Sequence, residues 1–362
     1  MVRVGVLLNP IAGFGGARAM HGTDALADDR FAEAVADGHA ARRLVRALTG
    51  IDGADVVAAP GVLGASALAG AGIPHRVLDL PQAARTTRLD TIAAARAFDV
   101  DVLVFGGGDG TATDIAEAIG TRVPVIGVPS GVKMHSEVFA RSPQGAGRLL
   151  ADVIAGRARF EPAEVLDVGP DDETGVVGML LAARSAEVLQ GAKRIVRPSA
   201  TDLRGIAREV LTASPGPVTW IVGPGATAGA VAEQLGFTPT LRGADVRHAS
   251  GEVELDVDER RLYEIARSED VRLVLGVVGG QGFLLGRGNQ QLSPRVIDTI
   301  GADRVEIVAT SEKVAGLFPA ELFVDLDDHD PDDHSPQPAG LLGYRRVRIG
   351  PRHSTVMKVR AA

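Results

Sequence analysis

The sequence feature that most restricts the fold is an apolar run, Val100–Phe105, that leads directly into the segment Gly106-Gly107-Gly108-Asp109-Gly110-Thr111. Asp101 is the one charged residue of this run, and Val102–Phe105 is continuously apolar, which is typical of a strand buried on both faces of a sheet. A helical pattern follows at once at Ala112–Ile119, so the glycines form a strand-to-helix turn. In open α/β proteins such turns lie at the carboxyl edge of the sheet, where ligands bind.

The same alternation of strand and helix fills the N-terminal half of the chain. The other predicted strands are Val2–Leu8, Asp55–Ala59, His75–Leu80 and Val123–Val128, and the other predicted helices include His39–Leu48 and Leu89–Phe98. Alternating strands and helices favour a parallel sheet. The predicted fold class is therefore α/β, with an N-terminal open parallel sheet that carries helices on both faces.

The pattern changes after residue 158. Two β-like runs, Val165–Val168 and Val176–Ala183, flank the turn-like segment Gly169–Asp172 and predict a hairpin. Strand and helix patterns then return, and the tail is β-like again. We therefore predict a nucleotide-binding α/β domain at 1–158 and a mixed α/β C-terminal domain with β-rich segments at 159–362, whose last strand returns to the first domain.

Charge and residue usage exclude several classes of protein. The formal net charge is −8, from 46 acidic and 38 basic residues, which argues against a nucleic-acid binder because phosphate backbones attract clustered Lys and Arg. Cysteine is absent, so disulfides and thiol chemistry are excluded. No apolar run is long enough to span a bilayer, so we expect no membrane insertion and a cytoplasmic location. The acidic segment Asp325–His334 predicts a solvated loop, not a metal site.

The glycine-rich turn predicts a phosphate site. Residues without a Cβ atom let the backbone approach a phosphate closely, and the N–H groups of the helix that follows favour an anion. The predicted nucleotide-binding residues of this turn are Gly107, Gly108, Gly110 and Thr111. A carboxylate repels phosphate, so Asp109 makes chemical sense as a general base for an attacking hydroxyl or as a Mg²⁺ contact.

Two further loops follow strands that would end at the same sheet edge. The first contributes Asn9, Gly13 and Gly15, and the second contributes Ser130, Gly131 and Lys133, as further predicted nucleotide-binding residues. In the second loop Lys133 could pair with phosphate oxygens. Polar or glycine positions on this and other loops are candidate substrate contacts: Asp114, His135, Ser136, Gly225, Thr227, Gln281, Arg287, Asn289 and Gln290.

In order and spacing, these segments resemble the ATP–NAD kinase superfamily, which includes diacylglycerol and sphingosine kinases. Gly107–Thr111 matches its signature motif, and Asn9-Pro10 with the following glycines looks like its first phosphate loop. The stretch Gly279–Pro294 resembles the branch named for acetoin catabolism X. The resemblance implies that Asp109 is the catalytic base and that the signature glycines and Thr111 contact the nucleotide.

The implied function is transfer of a phosphoryl group from ATP, with Mg²⁺, to a hydroxyl of NAD, which forms NADP. The resemblance also implies a homo-oligomer. NAD kinases carry an Asn-Glu or Asn-Asp pair downstream of the signature, whereas in this chain Thr113-Asp114 follows the signature closely. The lipid kinases carry Gly-Thr-x-Asn-Asp where this chain has Ser130–Met134. Two alternatives therefore stay open. One is a kinase of another alcohol, either a lipid or a small polyol, and the other is a nucleotide-binding regulator without turnover.

Overall fold

The computed structural model describes residues 1–20, 26, 28–82, 85–168, 174–185, 199–240, 242–326 and 338–362. The chain divides into two compact units. The first comprises Met1–Phe14 and Gly22–Ala192, and the second comprises Gly15–His21 and Lys193–Ala362.

The first unit contains a sheet that is covered by helices. Its strands are β1 (Val2–Leu8), β2 (Ala54–Ala58), β3 (Arg76–Val77), β4 (Val102–Gly107), β5 (Pro124–Pro129), β6 (Arg159–Val168) and β7 (Thr174–Arg184). Its helices are α1 (Asp28–Asp37), α2 (His39–Leu48), α3 (Ala65–Gly70), α4 (Arg88–Ala97), α5 (Asp109–Ile119) and α6 (Pro143–Ile154). The strand order is β3-β2-β1-β4-β5-β7-β6, and every neighbouring pair is parallel except β6 with β7.

Both faces of this sheet are buried, as the apolar runs predict. In β4, Val102 and Val104 pack into a core with α2 and α6, whereas Leu103 and Phe105 pack into a second core with α4 and α5. Alternate side chains of one strand therefore face opposite layers, which requires every position to be apolar. The prediction of an α/β fold with an open sheet and helices on both faces is confirmed.

The hairpin predicted after residue 158 is present, but it belongs to the first unit. β7 pairs with β5 in parallel through Pro124↔Leu181 and Val125↔Ala182, and β6 forms the sheet edge. The division between the units consequently falls after residue 192, whereas the sequence placed a domain boundary at 158. A composition change marks the hairpin, but only strand pairing shows which sheet it extends. The turn at 169–172 lies outside the described residues.

The second unit has its own mixed sheet. Its strands are β8 (Thr219–Val222), β9 (Asp245–Arg247), β10 (Val253–Glu254), β11 (Val271–Gly276), β12 (Phe283–Leu285), β13 (Val305–Val308), β14 (Glu321–Val324), β15 (Gly343–Gly350) and β16 (His353–Ala361). Its helices are α7 (Ala200–Thr212), α8 (Ala226–Gln234), α9 (Glu259–Ser268), α10 (Pro294–Ile300) and α11 (Ser311–Ala315). The strand order is β10-β9-β8-β11-β13-β15-β16-β14-β12, with β8, β11 and β13 parallel.

The last strand does not return to the first unit. β16 lies between β15 and β14 in the second sheet, antiparallel to β15 and parallel to β14. Its apolar side chains Met357 and Val359 complete the core of the second unit, and this burial explains its position. The acidic segment predicted as a solvated loop lies outside the described residues from position 327 onward. Across the described ranges, every helix is too short or too polar to cross a membrane.

A histidine is held between two carboxylates in the second unit. His248 is 7% exposed, its Nδ1 lies 2.9 Å from Glu269 Oε1, and its Nε2 lies 2.8 Å from Glu254 Oε1. Thr219 also donates to Glu269, and Arg261 donates to Glu254. Burial lowers the pKa of His248, but the hydrogen bonds and charges of Glu269 and Glu254 offset this and raise it overall.

This cluster predicts that the contribution of His248 to the free energy of unfolding decreases as the pH rises. Because the pKa of His248 is raised by folding, its contribution is complete below about 6.5, the ordinary pKa of histidine, and is lost as the pH rises through the folded-state value. Urea unfolding of the wild type and of His248→Gln at a series of pH values measures this. We expect the free-energy difference between them to shrink as pH increases. A difference that stays constant from pH 5 to 9 would contradict the prediction.

Candidate functional site

The loop at Asn9 and the glycine-rich loop at Gly107–Thr111 meet at a switch point in the sheet of the first unit. In the order β3-β2-β1-β4-β5, the strands that follow β1 are added on one side of it, towards β3, and the strands that follow β4 are added on the other side, towards β5. A crevice opens between the carboxyl ends of β1 and β4 at such a point. Asn9 follows β1, and its side-chain amide donates to Thr111 Oγ1 at 3.1 Å, beyond the end of β4. The Asn9 backbone N–H donates to the Gly106 carbonyl at 2.9 Å. The structure therefore brings these two predicted loops together.

Asp109 occupies the first turn of α5 and is 1% exposed. Its carboxylate accepts hydrogen bonds from the backbone N–H groups of His135, at 2.7 Å to Oδ2, and Ser136, at 3.0 Å to Oδ1. The Ser136 hydroxyl donates to Oδ1 at 2.7 Å. The Asp109 N–H in turn donates to the Lys133 carbonyl. Asp109 therefore fixes the 133–136 loop against the start of α5.

The environment of Asp109 shifts the pKa of its side chain. Burial raises the pKa of this carboxyl above its ordinary value, and the negative charge of Asp167 adds to the increase. The hydrogen bonds from Ser136 and from the backbone of His135 counteract part of the shift. His135 Nδ1 lies 3.3 Å from Asp109 Oδ2, so a titratable base adjoins this buried acid. Perturbed carboxyls at sheet-edge clefts are candidates for proton transfer.

The signature glycines have two different explanations. A Cβ on Gly107 would lie 2.4 Å from Thr111 Oγ1, one on Gly108 would lie 2.8 Å from the Lys133 carbonyl, and one on Gly131 would lie 2.6 Å from Gly108 Cα. Gly108 and Gly131 are required because the two loops pack tightly on one another, and Gly107 is required because the Thr111 side chain of the same turn packs against it. Gly110 differs: it is exposed, and a Cβ there would meet nothing within 4 Å. The protein itself gives no steric reason for glycine at this position.

The first residues of the loop after β5 are held mainly by hydrogen bonds from their backbone N–H groups. The Ser130 and Gly131 N–H groups donate to the Gly107 carbonyl, and the Ser130 hydroxyl donates to the Val128 carbonyl. Ser130 is 1% exposed, and its carbonyl lies where a Cβ on Gly13 would be, which explains glycine at that left-handed position. Lys133 is partly exposed, and within the described ranges its ammonium group makes no hydrogen bond or ion pair.

Asp114, a predicted substrate contact, is paired with a neighbouring helix in the structure. Arg88 on α4 donates to it at 3.1 Å and also to Glu117 at 2.8 Å, so these groups connect α4 to α5. The Asp114 side chain is 15% exposed. The structure thus gives the carboxylate a helix-pairing role, which its position after the signature could not reveal.

The carboxyl edge of the second sheet carries a separate group of candidates. Gly225 precedes α8, and a Cβ there would meet nothing within 4 Å. Thr227 in the first turn of α8 is fully buried, and its hydroxyl accepts from Lys313 Nζ at 3.1 Å. Lys313 reaches this position from α11, which begins after β13. A helix start and an ammonium group converge there, which suits an anion.

Arg287 and Asn289 are committed to the fold of the second unit. Arg287 Nη1 donates to Asp325 Oδ2 at 2.7 Å, both residues are 8% exposed, and the guanidinium lies over the Phe283 ring. The Asn289 side chain accepts from the Gly286 N–H and donates to the Leu284 carbonyl. These bonds use the groups that the sequence analysis offered to a substrate.

Gln281 and Gln290 are also buried, at 5% and 8% exposure. Gln290 packs its methylene groups close to Gly16, where a Cβ would lie 2.9 Å away. Gly15, predicted to bind nucleotide, also has a packing role, because a Cβ there would lie 2.6 Å from Met20 Cβ. Gly15 and Gly16 belong to the second unit, whereas Gly13 belongs to the first.

Three residues in or beside these sites were missed by the sequence analysis. Asp167 acts on Asp109 from the end of β6, Lys313 pairs with Thr227, and Arg43 donates from α2 to the Pro129 carbonyl. Lys313 had a signal, since Thr310 and Ser311 follow an apolar strand and open a helix. Asp167 and Arg43 had none, because they lie in elements without a motif. In the part of the chain that the structure describes, no group of three or more metal-ligating side chains is present.

Comparison with known families gives two matches. Residues 7–158 match the family model of the ATP-NAD kinase N-terminal domain, and residues 241–329 match that of the ATP-NAD kinase C-terminal domain. Together they cover about two thirds of the chain. Searches of curated proteins and of solved structures gave no match. The N-terminal match contains the Asn9, Asp109 and Ser130 loops.

Proposed function

Because this chain belongs to the ATP-NAD kinase family, we propose that it transfers the terminal phosphoryl group of ATP to a hydroxyl of NAD and so forms NADP. Membership of the family gives the reaction class, a kinase phosphotransferase. The acceptor, the catalytic residue and the acetoin-catabolism X branch are our proposals.

One observation carries the assignment of Asp109 as the base. Its buried carboxyl, with a raised pKa, lies next to the exposed and sterically unrestricted Gly110 at the switch point of the first sheet. In the proposed step the acceptor hydroxyl loses its proton to Asp109, its oxygen forms a bond to the terminal phosphorus of ATP, and ADP leaves. Phosphoryl transfer of this kind depends mainly on positioning and charge stabilisation.

The nucleotide would be held by the loops that meet at this point. The N–H groups at the start of α5 and the open surface at Gly110 would receive phosphate oxygens. Asn9 and Thr111, already bonded to each other, would fix the two loops in register. Lys133 would supply a positive charge to the phosphates. Gly107, Gly108 and Gly131 act indirectly, since they let the loops pack.

Mg²⁺ would arrive with ATP. The cation is usually bound through one or two carboxylates together with substrate phosphates, so a cage made only of protein ligands is not needed. We propose Asp109 and Asp167, whose charges interact, as the carboxylates that would contact the cation. Bound there, Mg²⁺ would offset the negative charge on the phosphates.

In the second unit we propose Gly225 and Thr227, with Lys313, as contacts for an anionic part of the substrate. Gln281 and Gln290 remain proposed contacts on neighbouring loops. We leave Arg287 and Asn289 out of the proposed substrate contacts, because their polar groups are engaged within the unit. A homo-oligomer and a cytoplasmic location also remain proposals.

The direct test is incubation of the purified chain with ATP, Mg²⁺ and NAD, followed by an enzyme-coupled assay for NADP. Formation of NADP supports the proposal. Bound ATP without NADP would reject NAD as the acceptor. A panel of other alcohols would then separate a kinase of another substrate from a regulator without turnover. One observation favours the alternative of a regulator without turnover: the Asp109 carboxylate already holds the 133–136 loop through hydrogen bonds, which is a structural role.

Replacing Gly110 by Ala tests whether the open surface receives the nucleotide. A Cβ there meets nothing in the protein, and alanine favours a helix more than glycine, so we expect an unchanged or slightly higher melting temperature but ATP binding weakened by about tenfold or more, measured by calorimetry. The matched control is Gly120→Ala, which also has open space but lies at the far end of α5. Gly120→Ala should leave the affinity for ATP intact, although the positive φ at this position means that alanine lowers the stability of the protein somewhat. Equal ATP affinity in Gly110→Ala and wild type would contradict this part of the proposal.

A further inference from the structure

A cavity lies in the second unit, at the amino end of β8. Its volume is about 240 Å³, and its lining includes Leu211, Ser214, Trp220, Leu235 and Arg247. An apolar cavity of about 150 Å³ is large enough for benzene, so this one admits a slightly larger molecule. Because Gly225 and Thr227 lie beyond the carboxyl end of β8, the cavity is at the opposite end of the strand from them.

Ser214 supplies an unused polar group. It is 6% exposed, and its hydroxyl has no hydrogen-bond partner among the described residues. A buried hydroxyl without a partner is unfavourable, and buried polar groups in proteins are usually paired. A ligand that offers a donor or an acceptor would remove this cost.

Arg247 supplies a positive charge on the same side of the sheet as Trp220. The two residues are directly opposite each other in the β8–β9 pair, so their side chains point to one face. The Arg247 guanidinium donates to the His248 carbonyl at 3.4 Å, and no carboxylate of the described residues lies within ion-pair distance. By contrast, the nearby Arg261 has Glu254 as its partner. The charge of Arg247 is therefore available to an anionic group.

Two helices end beside the cavity and supply the opposite polarity. α7 ends at Thr212, just before Ser214, and α8 ends at Gln234, just before Leu235. The carboxyl ends of helices carry partial negative charge and favour a cation. The cavity thus presents a positive group and two negative helix ends, with apolar walls from Leu211, Leu235 and the Trp220 ring. A simple anion or a simple cation satisfies only half of this arrangement.

We propose that this cavity binds a small α-amino acid with an aliphatic side chain. Its carboxylate pairs with Arg247, its ammonium group meets the carbonyl ends of α7 and α8 and the Ser214 hydroxyl, and its side chain packs on Leu211, Trp220 and Leu235. The site is independent of the phosphoryl-transfer proposal, and no covalent step is involved.

The test uses Trp220, which is the single tryptophan of the chain. The full-length protein is titrated with L-leucine, with 4-methylpentanoate, which lacks the amino group, and with 3-methylbutylamine, which lacks the carboxylate. We expect a saturable change of tryptophan emission with leucine and binding weaker by about tenfold or more for each half-molecule. No saturable change, or equal binding of either half-molecule and leucine, would overturn the proposal.

Two variants and a control locate the site. Arg247→Gln should weaken leucine binding by about tenfold or more, since it removes a charge-assisted hydrogen bond. Arg260→Gln, an exposed position on α9 whose partner is Glu264, should bind as the wild type does. Ser214→Ala keeps the charge and should weaken binding by a smaller factor, and it carries the test if circular dichroism shows that Arg247→Gln is unfolded. Wild-type affinity in the folded Arg247→Gln protein, or in Ser214→Ala where that variant carries the test, would place leucine elsewhere and reject the site.

Discussion

Asp109→Asn is expected to lower kcat for NADP formation by about 10²–10⁴, the usual contribution of a positioned general base. The amide cannot accept the proton of the acceptor hydroxyl. An amide oxygen at the Oδ1 position can still accept hydrogen bonds from the backbone N–H groups of His135 and Ser136, which lie 2.9 Å and 3.0 Å from that atom. Initial rates over a range of NAD concentrations, with the fraction of folded protein measured by circular dichroism, give kcat and KM separately.

A loss in Asp109→Asn could also come from a displaced loop, so a matched control is needed. Ser136→Ala removes the 2.7 Å hydrogen bond to Asp109 Oδ1 but leaves the carboxylate in place. If the charge itself acts as the base, this variant should lose less than about tenfold in kcat. Equal losses in the two variants would show that Asp109 acts by holding the loop. Unchanged turnover in Asp109→Asn would reject any catalytic role.

The pH profile of the wild type gives an independent check of the base. Burial and the charge of Asp167 raise the pKa of Asp109, so its carboxylate form is lost at a higher pH than for an ordinary carboxyl. A base must be deprotonated, and kcat should therefore fall as the pH decreases through this raised pKa. Asp109→Asn should lack that limb in its residual activity.

Arg287→Met is expected to lower the free energy of unfolding by about 3–5 kcal/mol, because it removes the guanidinium that faces the buried Asp325 carboxylate. The two side chains are only 5% and 6% exposed, and Arg287 also lies 3.9 Å from the centre of the Phe283 ring. Chemical unfolding with urea, followed by circular dichroism, measures the change. Since the protein has two compact units, the transition of the second unit should move most.

Two controls separate the buried pair from charge in general. Arg304→Met breaks an exposed ion pair with Asp270 in the same unit and should cost at most about 1 kcal/mol. The double variant Arg287→Met/Asp325→Leu removes both charges and should recover much of the loss. If Arg287→Met unfolds as the wild type does but raises KM for NAD, the arginine serves the substrate and not the fold.

Local patterns located most of the regular elements of the first unit. Val2–Leu8 and His39–Leu48 have the predicted bounds, and the strand before Asp109 is offset by two residues. The sequence predicts no helix at Pro143–Ile154, because Gly145 and Gly147 interrupt the helical pattern. The structure supplies the reason for the second glycine: a Cβ there would lie 2.6 Å from the Ala47 carbonyl, so α6 needs it to pack on α2.

Part of the candidate site could likewise be predicted from the sequence, and part could not. The motif alone gave the glycine-rich turn, the base candidate and the meeting of the Asn9 and Asp109 loops, because strand-to-helix turns of a parallel sheet share one edge. It could not tell which polar residues were free for a ligand. Asp114, Arg287 and Asn289 looked available in sequence, but their partners Arg88, Asp325 and the Leu284 carbonyl come from other elements or turns.

The sequence by itself determined the layered α/β architecture and the position of the glycine-rich turn, because both follow from local periodicity and from glycines next to strands. Tertiary structure alone decided that the 159–184 hairpin extends the first sheet and that β16 stays in the second. It also decided the environment of Asp109, whose hydrogen-bond donors lie 26 and 27 residues away. Burial and long-range pairing set these features, and neither is encoded in any short window of residues.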